Sequence, residues 1–320
     1  MGTEVALELI DRGGNPVDLW RTVSSHGLAS LPPAFVDTAA RTLEITLPVP
    51  GSRPRTVAIG PAAAGRAKVL VRGRPPGRSA LEAVIDSVRR ILCFDEDLSD
   101  FYAQVERDPD LAWARAGAGR MMRSATVFEE VIKTICTTNC AWSATERMVG
   151  GLVEHLGERA PGAPEQGPRG RAFPAPQAMA AAGERFYKDV IRAGYRGPYL
   201  IRIAGGVADG SLDLEVLGSA PSDELSDEEV EARLFALPGV GPYAAAHIML
   251  MLGRYSRLIL DSWTRPTYAR LAGRKSVSDA AIQRRFKRYG RYAGLAFWLY
   301  LTRDWVTDEP IPVGDPLRSA

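Results

Sequence analysis

Two hydrophobic periodicities divide the chain. Between residues 4 and 72 the short runs EVALELI, RTLEITLPV, RTVAIG and AKVLVRG alternate apolar and polar positions and are separated by Gly- and Pro-containing turns. A period of two places apolar side chains on one face of a strand, so these runs predict a small antiparallel sheet. SALEAVIDSVRRILCF, residues 79 to 94, changes to helical spacing behind Ser79 as a candidate cap and predicts a helix over one face of that sheet. From about residue 106 the strand signal is gone. VFEEVIKTICTTN, ATERMVGGLVEHLG, ERFYKDVIRAG, SDEEVEARLFALPG and AAAHIMLMLG each carry amphipathic helical periodicity. ERAPGAPEQGPRGRAFPAP, residues 158 to 176, is too rich in Pro and Gly for regular structure and predicts an exposed loop. The reading is an α+β chain: an antiparallel sheet plus helix over 1–105, a mostly helical unit over 106–306 and a flexible tail over 307–320.

At 320 residues and 46% hydrophobic content the chain can bury one large core or two ordinary ones. The 40 basic and 38 acidic side chains leave a net charge of only +2, so any attraction to a polyanion must come from local patches. Two basic runs stand out, RAKVLVRGRPPGR at 66–78 and RRFKRYGRY at 284–292. The second is interleaved with aromatics and offers Arg284, Arg285, Lys287 and Arg288 as backbone contacts, although such runs are usually solvated faces. Three cysteines, Cys93, Cys136 and Cys140, suit a reducing compartment better than a disulfide framework. With His26, His155 and His247 scattered, no side-chain metal site is expected. MGTEVALELIDRGG contains no long apolar core, and no segment reaches the ~20 apolar residues of a membrane span, so the expectation is a cytoplasmic protein without a membrane partner.

The candidate chemistry lies near residue 240. Ser226 and Glu229 have the spacing of a capping box and predict a helix from Asp227 to about Ala236. LPGVGPYAAAHIML, residues 237 to 250, follows. Gly239 and Gly241 tolerate positive φ and let another molecule approach the backbone, while Pro242 suits the first turn of a new helix. Free N–H groups at that helix start would suit a phosphate, although an ordinary turn between packed helices has the same outline. Asp261, 20 residues after Gly241, follows a strand-like LIL run and precedes Ser-Trp-Thr, which puts a carboxylate at the mouth of the next helix. The plain alternative is a helix N-cap.

Leu237, Gly239, Val240, Gly241 and Ala245 are spaced as in a helix-hairpin-helix motif. With Asp261 the chain resembles the helix-hairpin-helix (HhH-GPD) DNA glycosylase superfamily, base-excision repair enzymes that include endonuclease III, 8-oxoguanine glycosylase and 3-methyladenine DNA glycosylase II. CTTNCAWSATERM (136–148), AFPAPQAMA (172–180), AGYRGPYLIRIA (193–204) and YGRYAGLAFWLYL (289–301) resemble that family's successive signatures in order, and the likeness covers most of the chain. It implies a helical HhH-GPD glycosylase domain over 106–306 that acts as a monomer on double-stranded DNA containing a damaged base, associated with the nucleoid if the source is bacterial.

The resemblance also implies roles. Leu237, Gly239, Val240 and Gly241 would hold the DNA backbone, with a monovalent cation at the hairpin carbonyls as the one possible cofactor. Asp261 would be catalytic, stabilising the oxocarbenium-like sugar as the base leaves. Asn139, Tyr195 and Arg196 match the duplex-inserting and opposite-base positions of the 8-oxoguanine branch, with a helix C-cap and a core aromatic as plain alternatives for the first two; Ala144 departs from that branch's second basic contact. Where bifunctional members carry the Schiff-base lysine, this chain has Tyr243, which implies a monofunctional enzyme resembling the 3-methyladenine branch. Tyr243, His247 and Trp263 would line a base pocket favouring bases made cationic by alkylation, unless they only pack the core. Two other readings stay open: an 8-oxoguanine-type glycosylase/lyase, and a non-catalytic DNA-binding protein that keeps the hairpin.

Overall fold

The computed structural model describes residues 2–63 and 65–306. Strands β1 (Gly2–Glu8), β2 (Ala34–Asp37), β3 (Thr42–Val49), β4 (Ser52–Ala62) and β5 (Arg66–Arg72) form one antiparallel sheet in the order β1-β5-β4-β3-β2. Four of them coincide with the alternating runs. The fifth, β2, is only four residues long and follows Pro32-Pro33, too short for a period of two to register. Leu43, Ile45 and Leu47 of β3, Val57 and Ile59 of β4, and Ala67, Val69 and Val71 of β5 bury against Val84, Val88 and Ile91 of helix α2 (Arg78–Ile91). That helix is capped by Gly77 directly behind Pro75-Pro76, so Ser79 lies inside the first turn and caps nothing. A short helix α1 (Leu19–Val23) closes one end of this core.

The loop at 158–176 is not simply exposed. Arg169 Nε donates to Glu44 Oε1 at 2.6 Å, Ala160, Ala172 and Phe173 are buried, and Arg159 pairs with Arg171 in an isolated bridge. Glu44, on the sheet face away from α2, needs counter-charge once covered, and Arg169 and Arg72 supply it. The loop therefore docks on the sheet.

The helical part comprises α3 (Ser99–Val105), α4 (Val127–Thr137), α5 (Trp142–Leu156), α6 (Pro176–Ala181), α7 (Gly183–Arg185), α8 (Gly197–Ala208), α9 (Val216–Ser219), α10 (Asp227–Phe235), α11 (Pro242–Met251), α12 (Thr264–Leu271), α13 (Asp279–Phe286) and α14 (Ala293–Thr302). ERFYKDVIRAG is not one α-helix: after α7 the chain widens into a π-turn at Phe186–Val190, which places Tyr187 and Ile191 in the same core.

Two cores fill this part. One gathers Val131, Ile135, Val149, Leu152, Leu200, Ile203, Val230 and Leu234 from α4, α5, α8 and α10. The other gathers Phe101 and Val105 of α3, Tyr268, Ile282, Phe286 and Phe297. Helix α11 serves both, with Ala245 and Ile248 in the first and Ala246, Leu250 and Met251 in the second. A helix apolar around its whole circumference must be buried on all sides, and this one becomes the wall between two lobes. The side chains pass from the sheet core to the second helical core between Phe94 and Leu98, and Met122 and Ala125 return to the sheet core, so α3 packs with the helices although it lies within 1–105. The tail expected at 307–320 lies outside the described residues. No helix among the described residues is long and apolar enough to cross a membrane.

Candidate active site and nucleic-acid interface

The capping box at Ser226 forms as its spacing predicts: Ser226 Oγ accepts from the Glu229 N–H at 3.3 Å, and Glu229 Oε2 accepts from the Ser226 N–H at 2.9 Å. Helix α10 ends at Phe235 and delivers buried Leu237 to the turn, which the Val240 N–H closes on the Leu237 carbonyl at 3.2 Å. Only Gly239 uses a positive φ, +85°, and a Cβ there would lie 2.7 Å from the Tyr199 ring. Gly241 is extended at φ −107°, and a Cβ there would meet nothing within 4 Å. Gly239 is thus required by the turn, whereas Gly241 leaves clear space in front of the backbone. Pro242 opens α11, whose first N–H groups receive no side-chain cap. Uncapped N–H groups at the positive end of a helix dipole suit an anion such as a phosphate.

Behind the hairpin, Arg257 pairs with Glu228 and Glu231 of α10, both at 3.0 Å, and the Gly294 N–H donates to the Tyr255 carbonyl at 2.7 Å. A Cβ at Gly294 would lie 2.1 Å from the Arg257 carbonyl oxygen, so only glycine lets α14 approach this closely. Residues 255–260 are clamped between α10 and α14. The LIL run is not a strand; it is an irregular segment whose Ile259 is buried in the second core, so its hydrophobicity reflects burial without pairing.

That segment ends at Asp261, which is half-buried. Its Oδ1 accepts from the N–H groups of Trp263 at 2.9 Å and Thr264 at 2.6 Å, and its own N–H donates to Thr264 Oγ1 at 2.8 Å. The plain reading, a cap on α12, is therefore what Oδ1 does. Oδ2 has no hydrogen-bond partner among the described residues, so the carboxylate is oriented through one oxygen and open at the other.

Beside it stands an aromatic cluster. Tyr243 lies 5.9 Å from His247 between ring centroids, His247 lies 6.4 Å edge-on to Trp298, and Trp298 lies 5.8 Å from Trp263. The expected trio of Tyr243, His247 and Trp263 is thus joined through Trp298, which lies in the 289–301 run. Trp305 adds a further ring, and His26, from the sheet-bearing part, meets His247 edge-on at 6.0 Å. Burial pushes His247 down to about 3 and His26 to about 4, so both rings are neutral. His26 Nε2 contacts the Met122 carbonyl at 2.6 Å and therefore carries the proton. Burial pushes the Tyr243 phenol up, and the Asp261 charge adds to it. The Tyr243 hydroxyl lies 3.3 Å from Thr137 Oγ1.

Two residues beyond Thr137, exposed Asn139 sits just past the end of α4 at φ +47°, the left-handed position where Asn commonly follows a helix. Its Nδ2 donates to the Tyr195 hydroxyl at 3.4 Å, and Tyr195 is 51% exposed. This corrects the core alternative for Tyr195. Arg196 also departs from expectation: it is buried, it donates to the Thr138 carbonyl, and its guanidinium lies 4.5 Å from the centroid of the Tyr195 ring. It holds Tyr195 and the end of α4 from behind and does not face outward. The basic run at 284–292 is largely consumed as well. Arg285 pairs with Asp110, Arg288 with Asp108 and Arg291 with Asp100, clamping this run onto the α3 region. Among the described residues no group of three or more His, Cys, Asp or Glu side chains is arranged to hold a metal ion.

Solved structures share this overall fold of a lobed helical body behind an N-terminal sheet. The 3-methyladenine DNA glycosylase from Archaeoglobus fulgidus is 21% identical, covering 94% of this chain and 99% of that one, with a TM-score of 0.70. MBOgg1, solved in complex with a low-affinity DNA ligand, is 19% identical over 95% and 97% of the two chains, also with a TM-score of 0.70. The apo 8-oxoguanine glycosylase/lyase of Clostridium acetobutylicum is 19% identical over 87% and 93%, with a TM-score of 0.64. No family model and no curated protein matches the chain.

Proposed function

We propose that the protein is a monofunctional base-excision DNA glycosylase that extrudes an alkylated base from duplex DNA and hydrolyses its N-glycosidic bond. The observation that carries this reading is Asp261, held by its Oδ1 at the start of α12 with Oδ2 free, beside the cluster of Tyr243, His247, Trp263 and Trp298. As the C1′–N bond breaks, its electron pair leaves with the base, and the carboxylate stabilises the positive sugar while water supplies the new bond to C1′. Neutral rings with no cationic histidine among them favour a base that itself carries charge. The hairpin from Leu237 to Gly241 would bind phosphate through N–H groups. Its side chains are apolar, so a monovalent cation there would rest on backbone carbonyl oxygens, which are hard neutral donors suited to such an ion.

Asn139 and Tyr195, joined and exposed, would fill the gap left in the duplex. That contact is what favours the second reading, an 8-oxoguanine-type glycosylase/lyase, as do the relatives of that type. Tyr243, standing between Pro242 and Ala244, supplies no amine for the lyase step. Incubating the protein with duplexes carrying alkylated purines, hypoxanthine, uracil or 8-oxoguanine, each with and without later alkali, tests the proposal. Release of alkylated bases with the strand intact until alkali supports it, and cleavage without alkali supports the second reading.

A further inference from the structure

Three tryptophans meet beside Asp261. Trp263 and Trp298 are 5.8 Å apart, Trp263 and Trp305 5.5 Å, and Trp298 and Trp305 5.9 Å, with interplanar angles of 52°, 59° and 79°. Two aromatic faces that sandwich a base must stand about 7 Å apart, twice the contact distance between carbon atoms. This triangle contains no such slot. A base sandwiched among these rings must take the place of one of them.

The three rings are not equally fixed. Trp298 is buried in α14 and donates through Nε1 to the Ser25 carbonyl at 2.8 Å. Trp263 is tied only through its backbone N–H, to Asp261, and Trp305 likewise through its backbone N–H, to the Thr302 carbonyl at 3.0 Å. Trp305 lies beyond α14 on a short strap and is half-buried. Arg21 holds that strap by its backbone alone, donating to the carbonyls of Arg303 at 3.3 Å and Val306 at 2.8 Å, while its guanidinium is braced 4.5 Å from the centroid of Trp113. The cavity beside Trp305 measures about 20 Å³, room for a water molecule but not for an indole, so Trp305 cannot swing into it.

We propose that Trp305 is a selectivity gate: an extruded base must displace its indole from Trp263 and Trp298, so the pocket takes only bases that stack there better than an indole does. A cationic alkylated purine gains a cation-π attraction that the neutral indole lacks, and a normal base does not. The inference rests on the glycosylase reading for its biological sense, but the displacement can be read without turnover.

The first arm of the test measures base release. Trp305→Ala is expected to raise release of undamaged guanine, relative to 7-methylguanine, by about tenfold, the weight of one aromatic contact. Trp305→Phe should lie between, and Arg21→Ala, which frees the strap, should move the same way. The second arm needs no catalysis. In Asp261→Asn protein, 7-methylguanosine should expose Trp305 to acrylamide quenching, taken as the difference from Asp261→Asn/Trp305→Phe, whereas guanosine should not. Quenching that does not change with 7-methylguanosine overturns the gate. So does a Trp305→Ala protein that keeps the parent's discrimination, or one that loses lesion release and regains it in Trp305→Phe. If the parent releases no base from any duplex while 7-methylguanosine still exposes Trp305, the glycosylase reading falls and the gate stands.

Discussion

Replacing each hairpin glycine by alanine should give two different proteins. At Gly239 the backbone is left-handed at φ +85°, which costs a residue with a Cβ roughly 1–2 kcal/mol. The added methyl would also lie 2.7 Å from the Tyr199 ring, and forcing that neighbour aside adds about 1–2 kcal/mol. The sum is about 2–4 kcal/mol, and at on the order of 2 °C per kcal/mol for a chain of this size Gly239→Ala should melt about 4–8 °C below the parent. At Gly241 the backbone is extended and the methyl meets nothing; the poorer N-cap costs about 0.5–1 kcal/mol and the stiffer unfolded chain returns about as much, so Gly241→Ala should be close to neutral. The open space that spares the fold is where a phosphate would approach. Gly241→Ala should therefore lose duplex affinity with its melting temperature intact, and equally for damaged and undamaged DNA, because the hairpin contacts backbone. Calorimetric melting with anisotropy titrations of both duplexes checks this. Equal melting of the two variants, or full duplex affinity in Gly241→Ala, would refute the argument.

Asp261→Asn keeps an oxygen for the Trp263 and Thr264 N–H groups, so its melting temperature should match the parent's while single-turnover base release falls about 100- to 1000-fold. Borohydride should trap no covalent adduct between the parent and DNA, and Tyr243→Lys should trap at most a trace because that amine lacks a tuned pKa; efficient trapping by the parent would reveal an amine elsewhere in the pocket. His247 and His26 are held neutral down to about 3 and about 4, whereas an unfolded histidine takes up its proton near 6.5. Below pH 6.5 the unfolded chain binds more protons, so stability should fall with pH between 6.5 and 4 by about 1.4 kcal/mol per unit for each histidine. Urea titrations of His247→Phe should show a shallower slope across that window, and an unchanged slope would mean that the ring is not buried neutral.

Local rules made much of this architecture legible. The capping box at Ser226, Pro242 in the first turn of α11 and the alternation in β1, β3, β4 and β5 are each decided within a few residues, and each formed where the pattern placed it. What escaped is set by distant partners. The loop at 158–176 reads as solvent-exposed until Glu44, more than a hundred residues earlier, claims Arg169. Arg285 and Arg288 read as free cations until Asp110 and Asp108 neutralise them. Arg196 is adjacent to exposed Tyr195, yet its long side chain turns inward to a carbonyl at the end of α4. In the candidate site the hairpin turn follows from spacing, and the resemblance implies the roles of Asp261, Tyr243, His247 and Trp263, whereas His26, Trp298 and Trp305 arrive from far along the chain through packing alone. The ERFYKDVI stretch keeps helical periodicity but widens into a π-turn, a difference of one residue that amphipathicity does not resolve.

The most direct test is a single-turnover incubation of the protein in excess over an end-labelled duplex carrying one N-alkylated purine, with Asp261→Asn alongside. The expected result is release of the base by the parent and not by the variant, equal duplex binding by both, and a strand that breaks only after alkali. A parent protein that binds the duplex but releases no alkylated base, or releases it equally well without the Asp261 carboxylate, would contradict the account.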